Sequence, residues 1–229
     1  MKPIDPRHPW HWIGLLAVLF YSGLGGLFLT LGPPFGRPPV YPTDHAQFFA
    51  FWSRVYLNEW LFAAIVLVCI WKSRAGFESI GLVRPQIRTV VFLAMALIAL
   101  ALVVALVPEG VGLSLATEAQ RQSFAWTRGE RLFLLLAACL TAPFCEELMY
   151  RGFLLAFLRA VVGLRPAIVL QALLFGYQHV VLGGWSGAGA ALFGLLIAPI
   201  AIASGDLRAA MAIHFLVDAT ILLAAMLGP

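Results

Sequence analysis

Three ionisable side chains lie close together in an apolar stretch of this chain, in the segment Glu146-Glu147-Leu148-Met149-Tyr150-Arg151. A charged side chain near the centre of a bilayer costs about 2.5–3.5 kcal/mol on insertion scales, so such residues usually face a protein or water-filled interior and mark function. Glu147 and Arg151 are spaced i, i+4 with the carboxylate first, which favours an ion pair on one helix face. Glu146 lies about 100° around the helix from that pair and is a candidate general base.

Two later apolar runs carry polar residues at the same spacing. Phe175 precedes His179 by one helical turn, and His214 precedes Asp218 by one turn. Because polar side chains of a membrane bundle point inward, we expect both histidines and Asp218 to meet Glu146 at one water-containing cavity. A carboxylate and a histidine can deprotonate a water molecule, and a second polar pair can stabilise an oxyanion. This chemistry can cleave an amide, and the predicted catalytic residues are Glu146, His179, His214 and Asp218.

The composition indicates which elements position these residues. Of the 229 residues, 62% are hydrophobic and 11% are charged, whereas an average soluble domain has about 25% charged residues. We therefore predict an all-α, polytopic transmembrane helical bundle that forms a single membrane-embedded domain over residues 1–229. Apolar runs of about twenty residues are long enough to cross the hydrocarbon core. About seven such spans are predicted, at residues 10–31, 47–71, 87–107, 130–160, 166–182, 188–204 and 207–227.

Several finer expectations follow from single residues. Pro143 lies inside the fourth span, where it removes a backbone donor and is expected to kink the helix just before Glu146. A turn is predicted over residues 183–187, and residues 109–128 are expected to form either an interfacial amphipathic segment or a loop. Arg54 and Glu59, near the start of the second span, are expected to face the interface.

The net charge of +4 does not indicate a nucleic-acid partner, because the basic residues lie between apolar runs. They instead predict topology, and more of them fall on the cytoplasmic side when the N-terminus is cytoplasmic. We expect an integral protein of the cell's inner (plasma) membrane. Cys69, Cys139 and Cys145 lie within apolar spans without metal-ligand spacing and are expected to be buried thiols. The sequence does not indicate an oligomeric state.

Residues 130–226 resemble the catalytic core of the CAAX-protease and bacteriocin-processing (CPBP) family of intramembrane proteases, relatives of type II CAAX prenyl endopeptidases. The resemblance rests on three ordered motifs, which are Glu146-Glu147-xxx-Arg151, Phe175-xxx-His179 and His214-xxx-Asp218. It implies an endopeptidase in which Glu146 and His179 activate water. It also implies that His214 and Asp218 form the part of the site where the oxyanion of the substrate is bound. Glu147 and Arg151 would then form a structural pair, and Phe175 would have a packing role.

This sequence departs from the family pattern at Asp218, where the family more often has Asn. An ionised Asp cannot donate a hydrogen bond to an oxyanion, so Asp218 must be protonated, orient His214 or bind a cation. Members of the family have been described as metalloproteases and as metal-independent glutamate proteases. Glu146, His179 and His214 could supply three zinc ligands, but no H-E-x-x-H signature is present. We favour chemistry that requires no cofactor and keep zinc as the alternative.

Other functions remain open at this point. Gly184-Trp185-Ser186-Gly187 with His214 faintly resembles the serine motif of rhomboid proteases, and Cys145 beside Glu146 could be a nucleophile, although buried thiols are normally inert. A proton-coupled transporter or a non-catalytic scaffold would also use intramembrane carboxylates and histidines. For a protease, the expected partners are a hydrophobic peptide or lipidated protein substrate and membrane lipids.

Overall fold

The computed structural model describes residues 4–23, 44–83, 95, 127–179 and 184–227, and all regular structure within them is helical. This confirms the all-α prediction for the described residues. The helices are α1 (Pro9–Tyr21), α2 (His45–Ser73), a 3₁₀ helix (Phe77–Ile80), α3 (Arg128–Glu146), a π-helix (Glu147–Leu154), α4 (Leu155–Val162), α5 (Leu164–His179), α6 (Gly184–Ser204) and α7 (Leu207–Leu227).

Among the described residues, three helical stretches are long and apolar enough to cross a membrane: His45–Ser73, Arg128–Val162 and Gly187–Ser204. They correspond to the second, fourth and sixth predicted spans. Helices α1, α5 and α7 lie at the positions of three further predicted spans. The predicted span 87–107 lies outside the described residues, apart from the single helical residue Met95. The count of seven spans is therefore not confirmed.

The fourth span is one continuous helical stretch that contains an unusual segment. Pro143 lies inside α3, and the change in hydrogen bonding begins later, at Glu147, where the π-helix starts. The Leu155 N–H donates to the Tyr150 carbonyl, which is the i→i−5 pattern of a π-helix. All eight residues of the π-helix are buried. π-helical turns occur frequently at functional sites, and this one begins directly after Glu146.

A capping box fixes the start of α3. The backbone N–H and the hydroxyl of Thr127 donate to Glu130 Oε2 at 2.8 and 2.9 Å, and the Glu130 N–H donates to Thr127 Oγ1 at 3.3 Å. The Glu130 carboxylate is almost completely buried, and its Oε1 lies 2.8 Å from His45 Nδ1. The capping box satisfies the backbone N–H groups of Thr127 and Glu130 at the start of the helix that ends at Glu146.

The chain divides into two compact units. The first contains the described residues of Met1–Pro39, Glu59–Val83 and Phe144–Met211, and its core is built on the π-helix, which buries Leu148 and Phe153. The second contains those of Val40–Asn58, Arg84–Pro143 and Ala212–Pro229, and its core includes Phe48, Leu135 and Phe215. The single membrane-embedded domain expected from the sequence stays a prediction.

Small residues bring α5 and α6 of the first unit into close contact. A Cβ added to Gly176 would lie 2.6 Å from the Ala191 Cβ and 2.6 Å from the Gly187 carbonyl oxygen. A Cβ on Gly194 would lie 3.0 Å from the Ala172 Cα. Such small-residue contacts let helix backbones approach closely in membranes. They fix the position of α5, which carries His179 at its C-terminal end.

Substituting Gly176 by Ala should destabilise the protein by about 1–3 kcal/mol, because the added methyl group overpacks a backbone contact. The measurement is thermal unfolding of the purified protein in detergent. Gly189→Ala is the matched control, since an added Cβ at Gly189 meets no atom within 4 Å. The control should have an unchanged or slightly higher unfolding temperature. Equal shifts in the two variants would contradict the close approach of α5 and α6.

Candidate active site

The Glu146 carboxylate is held by two hydrogen bonds from different helices. It belongs to the last residue of α3 and is 3% exposed. The Tyr21 hydroxyl, at the end of α1, donates to Glu146 Oε1 at 3.2 Å, and the Gln178 side-chain amide on α5 donates to the same oxygen at 2.8 Å. A buried carboxylate with donors from α1 and α5 is fixed in orientation and not only in position.

The Gln178 amide is itself oriented by a second layer of contacts. The Tyr150 hydroxyl, from the π-helix, donates to Gln178 Oε1. Ser22 is fully buried, and its Oγ donates to the Val18 carbonyl oxygen at 2.6 Å and lies 2.8 Å from the Tyr150 hydroxyl. Because Gln178 Oε1 accepts from Tyr150, its amide nitrogen faces Glu146, and the flipped orientation would place an amide oxygen against a carboxylate.

His179 follows Gln178 at the end of α5 and has a defined tautomer. Its Nδ1 lies 2.8 Å from the Phe175 carbonyl oxygen, which can only accept a hydrogen bond. The proton of a neutral His179 therefore lies on Nδ1, and Nε2 is the nitrogen that can accept a proton or bind a metal ion. The Phe175 ring packs 4.6 Å from the imidazole, centroid to centroid. Phe175 thus orients His179 through both its carbonyl group and its ring.

The ion pair expected between Glu147 and Arg151 is present and fully buried. Arg151 Nη1 lies 2.9 Å from Glu147 Oε1, and both side chains have zero exposure. The guanidinium carbon lies 4.1 Å from the centroid of the Phe175 ring and 5.4 Å from that of Phe193. Stacking on aromatic faces suits the planar guanidinium group. The Phe175 ring consequently contacts both the buried ion pair and the imidazole of His179.

The second unit contains the other predicted pair. His214 Nε2 lies 3.5 Å from Asp218 Oδ2, and the two side chains are 6% and 23% exposed. The i, i+4 spacing therefore places the histidine and the carboxylate side by side on α7, as expected. Glu146 and His179 belong to the first unit. The convergence of all four residues on one cavity stays a prediction.

The predicted zinc ligands come from both units, and that set also stays a prediction. Glu146 and His179 supply one carboxylate and one imidazole in the first unit. Within the described part of each unit, no three His, Cys, Asp or Glu side chains are grouped as a metal site requires. A catalytic zinc site usually has three protein ligands and a water molecule. The described residues of the first unit do not by themselves provide that set.

Residues 128–220 match the family described as type II CAAX prenyl endopeptidase, Rce1-like. The match confirms the family resemblance that the motifs predicted. We call residues 128–220 the Rce1-like segment, and it contains all seven predicted site residues. No curated protein and no solved structure matches the chain. The three apolar helices and the match to a family of membrane endopeptidases over this segment support an integral membrane protein.

Two polar residues of the first unit that precede the Rce1-like segment have a contact or a burial that the sequence did not predict. Tyr21 contacts Glu146 across 125 positions of the chain. Glu59 was expected at the interface, and this is wrong, because its side chain is 6% exposed. The available signal was its position, because Glu59 is twelve residues from each end of the predicted span 47–71 and not near its start as stated above. A charge at mid-span normally faces the protein interior.

The sequence offered two alternative nucleophiles, Cys145 and Ser186. Cys145 is fully buried, and all three cysteines are free and buried as expected. The predicted turn over residues 183–187 is wrong from Gly184 onward, because α6 already begins there. The side chain of Ser186 lies outside the described residues.

Gln178 was also not predicted as a site residue, although a polar residue next to His179 in an apolar helix was a usable signal.

Proposed function

We propose that this protein is an intramembrane endopeptidase that hydrolyses a peptide bond with water activated by Glu146 and His179. The observation that supports it most is the Glu146 carboxylate, which is buried and oriented by hydrogen bonds from Tyr21 and from Gln178, the residue before His179. The match of residues 128–220 to an endopeptidase family supports the same reaction class. No cofactor is required in this proposal.

The proposed reaction uses the two residues as follows. Glu146 accepts a proton from a water molecule that also contacts His179, and the water oxygen bonds to the carbonyl carbon of the substrate. The carbonyl oxygen takes up the negative charge. The tetrahedral species then collapses, the C–N bond breaks, and the proton held by Glu146 moves to the leaving nitrogen. One carboxylate and one amine are the products.

His214 is the proposed partner of the oxyanion, and Asp218 is proposed to orient it. The support is their proximity of 3.5 Å on one face of α7. An ionised Asp218 can accept a hydrogen bond from His214 Nε2 and favours the doubly protonated imidazolium, whose Nδ1–H is then the group that donates to the oxyanion. In this proposal Asp218 is a positioning residue, which would account for an Asp where the family more often has Asn.

The proposed substrates are hydrophobic or lipidated peptides that reach the site from the membrane. The matched family is named for prenylated CAAX substrates, and a buried, membrane-embedded site suits a lipid-modified chain end. The distribution of Lys and Arg supports a cytoplasmic N-terminus in the inner membrane. A nucleic-acid partner is not part of the proposal.

The test is cleavage of a farnesylated CAAX peptide and of the same peptide without the lipid, by purified protein in proteoliposomes. Products are identified by mass. In ¹⁸O-labelled water, hydrolysis should place one heavy oxygen in the new carboxylate. Ser186→Ala and Cys145→Ala should cleave like wild type, and their inactivity would favour the rhomboid-like or cysteine mechanism. No cleavage, combined with solute-driven proton movement into the vesicles, would overturn the proposal in favour of a transporter.

The metal dependence is tested on the same preparation. Zinc content of the purified protein is measured by elemental analysis, and cleavage is measured before and after chelator treatment. The metal-independent mechanism predicts full activity after chelation. Stoichiometric zinc that is lost together with activity, and activity that returns when zinc is added, would instead assign Glu146, His179 and His214 as ligands.

A further inference from the structure

We infer that the end of α1 is part of the catalytic site, where Tyr21 and Gln178 form a two-donor clamp on Glu146 Oε1. The inference rests on the proposed function, in which Glu146 is the base. Tyr21 and Gln178 are positioning residues, since they touch the base and not the substrate. Tyr21 precedes residues 128–220, so the site extends beyond the Rce1-like segment.

Tyr21 and Gln178 donate to the same carboxylate oxygen of Glu146. Tyr21 Oη is 3.2 Å from Glu146 Oε1 and Gln178 Nε2 is 2.8 Å from it. A carboxylate bound at one oxygen by two donors from separate helices cannot rotate about its terminal bond without breaking both hydrogen bonds. The direction in which Glu146 takes a proton from water is thereby fixed before the substrate binds.

Two adjacent residues at the end of α1, Tyr21 and Ser22, make polar contacts that support the clamp. Tyr21 donates to Glu146 directly, and the next residue, Ser22, contacts the Tyr150 hydroxyl at 2.8 Å. Tyr150 in turn donates to Gln178 Oε1 and so holds the second donor. Ser22 and Tyr150 are fully buried. Packing alone does not require this chain of polar contacts in an apolar core, where each unsatisfied polar group is costly.

The ring and the hydroxyl group of Tyr21 make separate contacts. The ring packs 5.8 Å from Phe62 and 6.4 Å from Tyr150, centroid to centroid. A Tyr21→Phe variant keeps these contacts and removes only the donor to Glu146. The variant therefore isolates the hydrogen bond from the folding role of α1.

The first experiment measures kcat and KM for Tyr21→Phe, with Tyr177→Phe as the control. Tyr177 is one residue before Gln178, and its side chain is 37% exposed. Tyr21→Phe should lower kcat by about 10- to 100-fold, as expected for loss of a hydrogen bond to a charged group, with KM and unfolding temperature unchanged. Gln178→Leu should give the same loss of kcat together with a lower unfolding temperature, because it also leaves the Tyr150 hydroxyl without its acceptor. Tyr177→Phe should match wild type.

A second measurement does not depend on activity. The infrared band of the Glu146 carboxylate, assigned by its loss in Glu146→Gln, should shift in Tyr21→Phe and stay in place in Tyr177→Phe. Wild-type kcat or an unshifted band in Tyr21→Phe would overturn the clamp and leave the proposed function intact. A shifted band in a protein that cleaves no peptide would overturn the proposed function and retain the hydrogen bond.

Discussion

Glu146→Gln should lower peptide cleavage by about 10²–10⁴-fold, the range that general acid–base catalysis typically contributes. The amide is nearly isosteric with the carboxylate but cannot accept the proton of a water molecule. It can still accept a hydrogen bond from Tyr21 through its oxygen, so the fold should be preserved. The loss should therefore appear in kcat, with the unfolding temperature close to that of wild type.

His179→Ala should give a loss of similar size, because the water molecule then lacks its second partner. Glu78→Gln is a suitable control, since the Glu78 side chain is exposed in the 3₁₀ helix of the same unit. Cleavage is measured on the same lipidated peptide at saturating and limiting concentrations. Undiminished cleavage in Glu146→Gln or in His179→Ala would disprove the proposed mechanism.

The parts of the site that the sequence could predict are the ones set by local helix geometry. An i, i+4 spacing places two side chains on one face of any helix, which is why the Glu147–Arg151 and His214–Asp218 contacts could be anticipated. The order of the three motifs added the family resemblance. Neither inference needed the tertiary arrangement of the helices.

The parts that escaped prediction depend on tertiary contacts or on backbone detail. The contact between Tyr21 and Glu146 joins residues far apart in the chain, and no spacing rule connects them. The π-helix at Glu147–Leu154 has no signature in apolar periodicity, because its residues are buried on all sides. Pro143 indicated a disturbance of the helix, but the i→i−5 pattern begins only four residues later.

The buried ion pair links the stability of the first unit to its catalytic residues. Arg151 pairs with Glu147 inside the π-helix and stacks on the Phe175 ring. The same phenylalanine holds His179 through its carbonyl oxygen at 2.8 Å. A disturbance at Arg151 should therefore reach His179 through one intervening residue, although Arg151 takes no part in the reaction.

Arg151→Met should destabilise the protein by about 3–5 kcal/mol, because it leaves the Glu147 carboxylate buried without its cation. The measurement is unfolding by heat and by denaturant in detergent. Arg159→Met is the matched control, since Arg159 lies on α4 of the same continuous helical stretch and is exposed. Its unfolding should be close to that of wild type.

A double variant distinguishes a lost ion pair from lost packing. Replacing a buried pair by apolar residues of similar size is often nearly neutral, so Glu147→Leu with Arg151→Met should be more stable than Arg151→Met alone. Arg151→Lys keeps the charge but loses the planar stack on Phe175 and should be intermediate. If the double variant is as unstable as Arg151→Met, the contribution of Arg151 comes from its packing on Phe175 and Phe193, and cleavage should then fall in parallel because Phe175 no longer holds His179 in place.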